Sequence, residues 1–182
     1  MAQIYVVRHG KAASRIDAHL DPGLDETGRR QALATAEELA GLGPLAIYSS
    51  PLARARQTAE PLAERWSAKI EIEPRVTEIP FPTTDLAQRR AWLGKAMAGR
   101  WTELDRELVQ WRQDLVDYLC ELPEDSVVFC HFIAINVAVG SAQNDDRLAI
   151  FAPDNGSVTI LSNAGGRLAI VQLGRAAQTH VN

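Results

Sequence analysis

The stretch Gln3-Ile4-Tyr5-Val6-Val7-Arg8-His9-Gly10 decides how this chain reads. Residues 3–8 form a short, β-branched-rich apolar run, the mark of a buried strand. The run breaks abruptly into Arg8-His9-Gly10, polar residues at its carboxyl end. Open α/β sheets place their ligands at that end of the strands. Nothing before residue 3 supplies the basic region or cleavage site of a secretion signal, so a cytoplasmic location is expected.

Working outward, the same pattern recurs. Leu45-Ala46-Ile47-Tyr48 runs into Ser49-Ser50-Pro51, with Arg54 one turn into the helix that follows. Ser126–Cys130 is a third apolar strand and stops at His131. Residues 69–73 alternate as a half-exposed strand, and beyond Pro74 the loop Val76-Thr77-Glu78-Ile79-Pro80 carries Glu78. The chain has four histidines, and two of them, His9 and His131, sit at strand ends.

Helices fill the intervals. Residues 28–41 show helical spacing, with Ala32, Leu33, Ala36 and Leu39 on one face and Gly41-Leu42-Gly43-Pro44 as the stop. Ser50 suits an N-cap and Pro51 a first helical position, which predicts a helix to Trp66, kinked or broken at Pro61. One helix is expected between Pro80 and Arg100. Another follows, capped by Thr102 with Asp105 reaching back, with the stripe Leu104, Leu108, Trp111, Leu115 and Leu119. Strands near 157–162 and 168–173 flank Asn163-Ala164-Gly165-Gly166 as a hairpin. The expected fold is α/β: a three-layer sandwich with a mostly parallel central sheet, one antiparallel edge, helices on both faces and a small helical cap insertion. Residues 1–182 are expected to form a single domain, with 79–105 as the cap segment.

Composition sets the boundaries. With 182 residues, 46% apolar and 23% charged, the chain is ordinary globular material, not a disordered, collagen-like or rod sequence. Its formal net charge of −4 argues against nucleic acid as a partner, so any attraction for anions must be local. No apolar run is long enough to span a bilayer, and no membrane partner is expected. Cys120 and Cys130 form no C-x-x-C pair and read as free thiols, not a zinc site.

The strand-end residues together describe a phosphoryl-transfer pocket. Guanidiniums at Arg8 and Arg54 can grip phosphate oxygens by paired hydrogen bonds, and His131 can add a donor. Helix N-termini, expected after Gly10 and at Pro51, can add backbone amides. Nearby positive charge would keep His9 neutral and one ring nitrogen nucleophilic. Glu78 is the candidate general acid and then base, with Glu73 and Asp85 as competitors. Lys11, Arg15 and Arg56 read as solvated charges, and His19 and His180 as exposed and idle. Ser49 and Ser50 lack a G-x-S-x-G elbow and read as capping residues. No H-x-H or H-E-x-x-H spacing supports a metal hydrolase.

These residues resemble the histidine phosphatase superfamily, also called phosphoglycerate-mutase-like, over nearly the whole chain. Arg8-His9-Gly10 is similar to its signature after the first strand. Leu24-Asp25-Glu26-Thr27-Gly28-Arg29-Arg30-Gln31-Ala32 is similar to its L-T-x-x-G-x-x-Q-A helix start. Tyr48-Ser49-Ser50-Pro51-Leu52-Ala53-Arg54-Ala55-Arg56-Gln57-Thr58-Ala59 resembles its S-S-P-L-x-R-A-x-Q-T-A motif. Asn155-Gly156-Ser157 resembles the segment before its last strands. The resemblance implies a metal-independent phosphomonoester hydrolase of the histidine acid phosphatase type, with no cofactor and a small phosphorylated substrate. His9 would become phosphohistidine, Arg8, Arg54 and His131 would bind phosphate, and Glu78 would protonate the leaving group. Arg15, near a position where mutases carry Asn, would be a further anion contact. A phosphohistidine-protein phosphatase, with a phosphoprotein as substrate, and a non-catalytic phospholigand-binding protein are the alternatives. The chain departs from the pattern at Lys11-Ala12, at Ile79-Pro80-Phe81-Pro82, and at Phe132-Ile133 where a Gly-Gly is usual. Phe81, Trp92 and Trp101 are candidates to line the leaving-group site, and Trp111 reads as core.

Overall fold

The computed structural model describes residues 1–15 and 18–177. One six-stranded sheet organises them, formed by β1 (Gln3–Arg8), β2 (Ala46–Ser49), β3 (Ile70–Ile72), β4 (Ser126–Cys130), β5 (Val158–Ser162) and β6 (Ala169–Gln172). The spatial order is β3-β2-β4-β1-β5-β6. β1, β2, β3 and β4 are mutually parallel, and the β5–β6 hairpin supplies the antiparallel edge. The helices are α1 (Glu26–Leu39), α2 (Ala53–Trp66), α3 (Leu86–Met97), α4 (Arg106–Glu121) and α5 (Phe132–Gln143).

The pleat explains why the central strands are apolar throughout. Ile4 and Val6 of β1, with Val128 and Cys130 of β4, point toward α4 and α5. Tyr5, Val7, Val127 and Phe129 point the other way, toward α1 and α2. A strand covered on both faces needs an unbroken apolar run. The sheet is thus the middle layer of a sandwich, as the sequence predicts.

Several local expectations are corrected. Leu33 is exposed, because α1 turns Gly28, Ala32, Thr35, Ala36 and Leu39 inward instead. The small inward residues let α1 lie close to the loop after β1, where a Cβ on Gly10 would meet the Gly28 carbonyl oxygen at 2.5 Å. α2 begins at Ala53, not Pro51, and runs through Pro61 as one helix. Thr102 does not cap α4: its hydroxyl donates to Asp146 at 2.9 Å, and Asp105 holds the N-cap position. No helix begins directly after Gly10; a loop leads to α1, capped by Asp25, which accepts from the Gly28 amide at 2.7 Å. Cys120 and Cys130 are free thiols. No helix among the described residues is long and apolar enough to cross a membrane.

Candidate active site

Ladder register brings the polar strand ends abreast. Arg8 pairs with Cys130, and Ser49 with Phe129. The ladder continues one step further, with the His9 amide donating to Cys130 O and the Ser50 amide to Phe129 O, each at 3.0 Å. His9, Ser50 and His131 therefore meet at the carboxyl edge of three adjacent strands. Arg54 enters from the first turn of α2, and Glu78 from the loop beyond β3.

His9 is buried, and both its ring nitrogens are engaged. Nδ1 lies 2.7 Å from the Gly10 carbonyl, which can only accept, so Nδ1 carries the proton. Nε2 then holds a lone pair, and it accepts from Arg54 Nε–H at 3.2 Å. Burial first, then the charges of Arg54 and Arg8, push the ring well below an ordinary imidazole, so it is neutral at neutral pH. Asn155 Nδ2 donates to the His9 carbonyl at 2.8 Å and fixes the backbone. Thr58 Oγ1 accepts from the Gly10 amide at 3.0 Å and donates to Arg54 O at 2.7 Å.

His131 is fully buried at the N-cap position of α5, its ring centroid 5.1 Å from that of His9. Its Nε2 is 2.7 Å from Ser50 Oγ, which also accepts from the Leu52 amide at 3.2 Å. Its Nδ1 is 4.0 Å from Glu78 Oε2 and has no hydrogen-bond partner among the described residues. Burial, then Arg54, His9 and Arg8, hold His131 neutral as well.

The guanidiniums are tethered at one end. Arg8 Nη1 donates to Pro153 O at 2.7 Å and the group lies 5.2 Å above the Phe132 ring, while its buried Nε is unpartnered among the described residues. Arg54 Nη1 lies 4.0 Å from Asp21 Oδ1, which also accepts from the Ala53 amide. Glu78 Oε1 accepts from the Ile79 amide at 3.0 Å, and the Ile133 amide also faces the carboxylate. Burial raises Glu78 above the ordinary carboxylate range despite the opposing pull of Arg54, those amides and Arg8. Glu73 and Asp85 are elsewhere: Glu73 pairs with Arg75, and Asp85 caps α3. No cluster of three or more His, Cys, Asp or Glu side chains suited to a metal occurs among the described residues.

The sequence pattern of the histidine phosphatase superfamily, branch 1, matches residues 4–176. The chain belongs to that superfamily. It is 40% identical over 161 residues to a probable phosphoglycerate mutase of Photorhabdus laumondii, covering 78% of this chain and 74% of that one. It is 29% identical over 170 residues to a glucosyl-3-phosphoglycerate phosphatase of Mycolicibacterium vanbaalenii, covering 89% and 73%. Its fold superposes on that of a phosphoserine phosphatase from Entamoeba histolytica with a TM-score of 0.76 at 21% identity, covering 98% of each chain.

This histidine phosphatase superfamily member thus brings His9, Arg8, Arg54, His131 and Glu78 together. Arg8, His9, Arg54 and Glu78 open into a cavity of about 780 Å³, and Arg15 and Lys11 stand on its wall, Lys11 paired to Asp25 at 3.1 Å. Trp101 does not line the site. It is buried in the core, 6.0 Å from Trp111. Trp92 packs edge-on against Phe81 at 5.6 Å, and Phe81 faces a smaller cavity beside Arg54 and Glu78. His19 is exposed, its Nδ1 accepting from the Asp21 amide; His180 lies outside the described residues. Sequence reasoning missed Ser50 as partner of His131, and Leu93, Gly94 and Met97 of α3 as cavity wall. Their i, i+1, i+4 spacing was the available signal.

Proposed function

We propose that this protein hydrolyses phosphate monoesters through a phosphohistidine on His9. The observation that carries the reading is the state of His9: a buried, neutral imidazole whose Nδ1–H is committed to Gly10 O, leaving the Nε2 lone pair beside Arg54. Around it, Arg8 Nε and His131 Nδ1 are buried polar atoms without partners among the described residues, which is costly unless a ligand answers them. A phosphate dianion does so. On binding, Arg54 Nε–H transfers its hydrogen bond from the ring to a phosphate oxygen. His9 Nε2 attacks phosphorus, the bond from phosphorus to the ester oxygen breaks, and Glu78 gives its proton to the departing oxygen. Water then attacks phosphorus and the P–N bond breaks. The Glu78 carboxylate takes the water proton, and inorganic phosphate leaves.

A carboxyl group raised by burial suits the first step, and a neutral histidine is ready to attack. Arg8, Arg54 and His131 hold the charge that builds on the transferring group. Arg15, on the wall of the same cavity, is a further contact for the phosphate dianion. Residues 79–105, with α3, act as a cap over the leaving group.

The test is turnover of p-nitrophenyl phosphate with EDTA present, beside His9→Ala. Chelator-resistant release of inorganic phosphate that vanishes in the variant, with a phosphate adduct on the His9 peptide after alkaline quench, is expected. Chelator-sensitive turnover, or turnover retained in His9→Ala, overturns the mechanism. Because one relative is named a probable phosphoglycerate mutase, 3-phosphoglycerate belongs in the same assay. Release of phosphate supports hydrolysis; isomerisation to 2-phosphoglycerate without release overturns it.

A further inference from the structure

The α3 helix turns one face toward the active-site cavity. Leu93 and Met97 stand four residues apart on it, with Gly94 between them, and all three line the cavity, as does Arg90 one turn earlier. The rest of the wall includes Phe132 from the start of α5 and, from the loop after Gly10, Ala12 and Ala13 flanked by Lys11, Ser14 and Arg15. Glycine weakens a helix interior, so its presence there calls for a reason. A Cβ built on Gly94 meets nothing within 4 Å, so no tight helix contact demands it. Its effect is to leave room. The other side of α3 is held in place: Trp92 packs on Phe81, and Arg89 lies 4.9 Å above the same ring.

We propose that Leu93, Gly94 and Met97 form the selectivity surface for the leaving group, admitting phosphate monoesters of bulky apolar alcohols in preference to small polyhydroxy ones. The inference rests on the phosphomonoesterase reading and names its substrate class. A polyhydroxy alcohol lying against Leu93, Gly94 and Met97 would give up water to groups that offer no donor or acceptor, the polar side chains of the cavity, Lys11, Ser14, Arg15 and Arg90, being charged or polar ends placed beside this patch and not on it. An alkyl or ring system would bury apolar surface against them. A cavity of about 780 Å³ is in the range that holds a ligand much larger than glycerate.

The experiment compares kcat/KM for n-hexyl phosphate and glycerol 3-phosphate, whose leaving alcohols differ little in basicity, in the intact protein and in Gly94→Ala and Gly94→Leu. The expected preference for the hexyl ester is about tenfold or more. It should shrink stepwise from the parent to Gly94→Ala to Gly94→Leu as side-chain volume fills the gap. Both variants should melt no lower than the parent, because the added atoms meet open space and improve helix propensity. A hexyl-to-glyceryl ratio near one or below it in the parent, or a ratio that Gly94→Leu leaves unchanged, overturns the inference while p-nitrophenyl phosphate turnover leaves the phosphatase reading standing. Absence of turnover with every ester overturns both.

Discussion

At the scale of single residues, Glu78 and His9 are held in opposite departures from their ordinary states by one shared cause. Burial disfavours charge, so it raises the carboxyl and lowers the imidazole. For the proposed chemistry both shifts act in the useful direction. Activity should rise with pH as His9 loses its proton, below the ordinary imidazole range, and fall as Glu78 loses its own, above the ordinary carboxylate range. The two limbs make the profile of kcat/KM bell-shaped, with His9 on the rising side and Glu78 on the falling side. Glu78→Gln should erase the falling limb and slow alkyl phosphates by about 10²–10⁴-fold. It should slow p-nitrophenyl phosphate far less, since that leaving group departs without a proton. Equal losses on both esters count against Glu78 as the acid. Arg54→Lys tests the phosphate grip. It keeps the charge but loses the fork and the Nε–H aimed at His9. Vanadate affinity, read by inhibition titration, should fall by about 10–100-fold, the worth of one or two charge-assisted hydrogen bonds. An unchanged inhibition constant removes Arg54 from the phosphate site.

At the scale of elements, the strand ends were legible and several helices were not. An apolar run that stops dead at Arg8-His9-Gly10, at Ser49-Ser50 or at His131 declares both a buried strand and the edge where its ligands sit. α5 gave no such signal. Nine of its residues, Phe132 to Gly140, are buried on every side, so no amphipathic period exists to find. The Thr102 cap failed for a different reason: Asp146, 44 residues away, captures the hydroxyl, and only the fold brings it there. The same is true of Asn163, read only as part of a hairpin turn. Its Nδ2 donates to the carbonyls of Leu119, Cys120 and Leu122, the closing turn of α4, and its Oδ1 accepts from the Ala2 amide at 2.8 Å. One side chain thereby ties the end of α4 and the start of β1 to the hairpin beside them. Asn163→Ala leaves those carbonyls and the amide unanswered in a buried place. It should cost about 2–4 kcal/mol in urea unfolding, from several lost hydrogen bonds at about 1–1.5 kcal/mol each. A loss under about 0.5 kcal/mol would show that water replaces the side chain without penalty.

For the whole molecule, the site weighs on stability in a way that depends on pH. His9 and His131 are buried neutral, so below about pH 6.5 the unfolded chain takes up protons that the folded one refuses. Stability should therefore decline as the solution is acidified through that range. Glu78 acts with the opposite sign. Its folded pKa lies above the unfolded value, so the fold binds that proton more tightly than the unfolded chain does. The resulting stabilisation is complete below the unfolded carboxylate pKa of about 4.5 and disappears as pH rises through the raised value, where the fold must hold a buried carboxylate. Glutamine has the same shape and never ionises. Glu78→Gln should hence melt close to the parent at acidic pH and above it at neutral and alkaline pH, the gap opening as pH rises. Melting temperatures of the two proteins across a pH series read this directly. A gap that is constant with pH, or that favours the parent as pH rises, would mean that Arg54 and Arg8 stabilise the carboxylate more than burial disfavours it, and Glu78 would then lack its proton when a leaving group needs one.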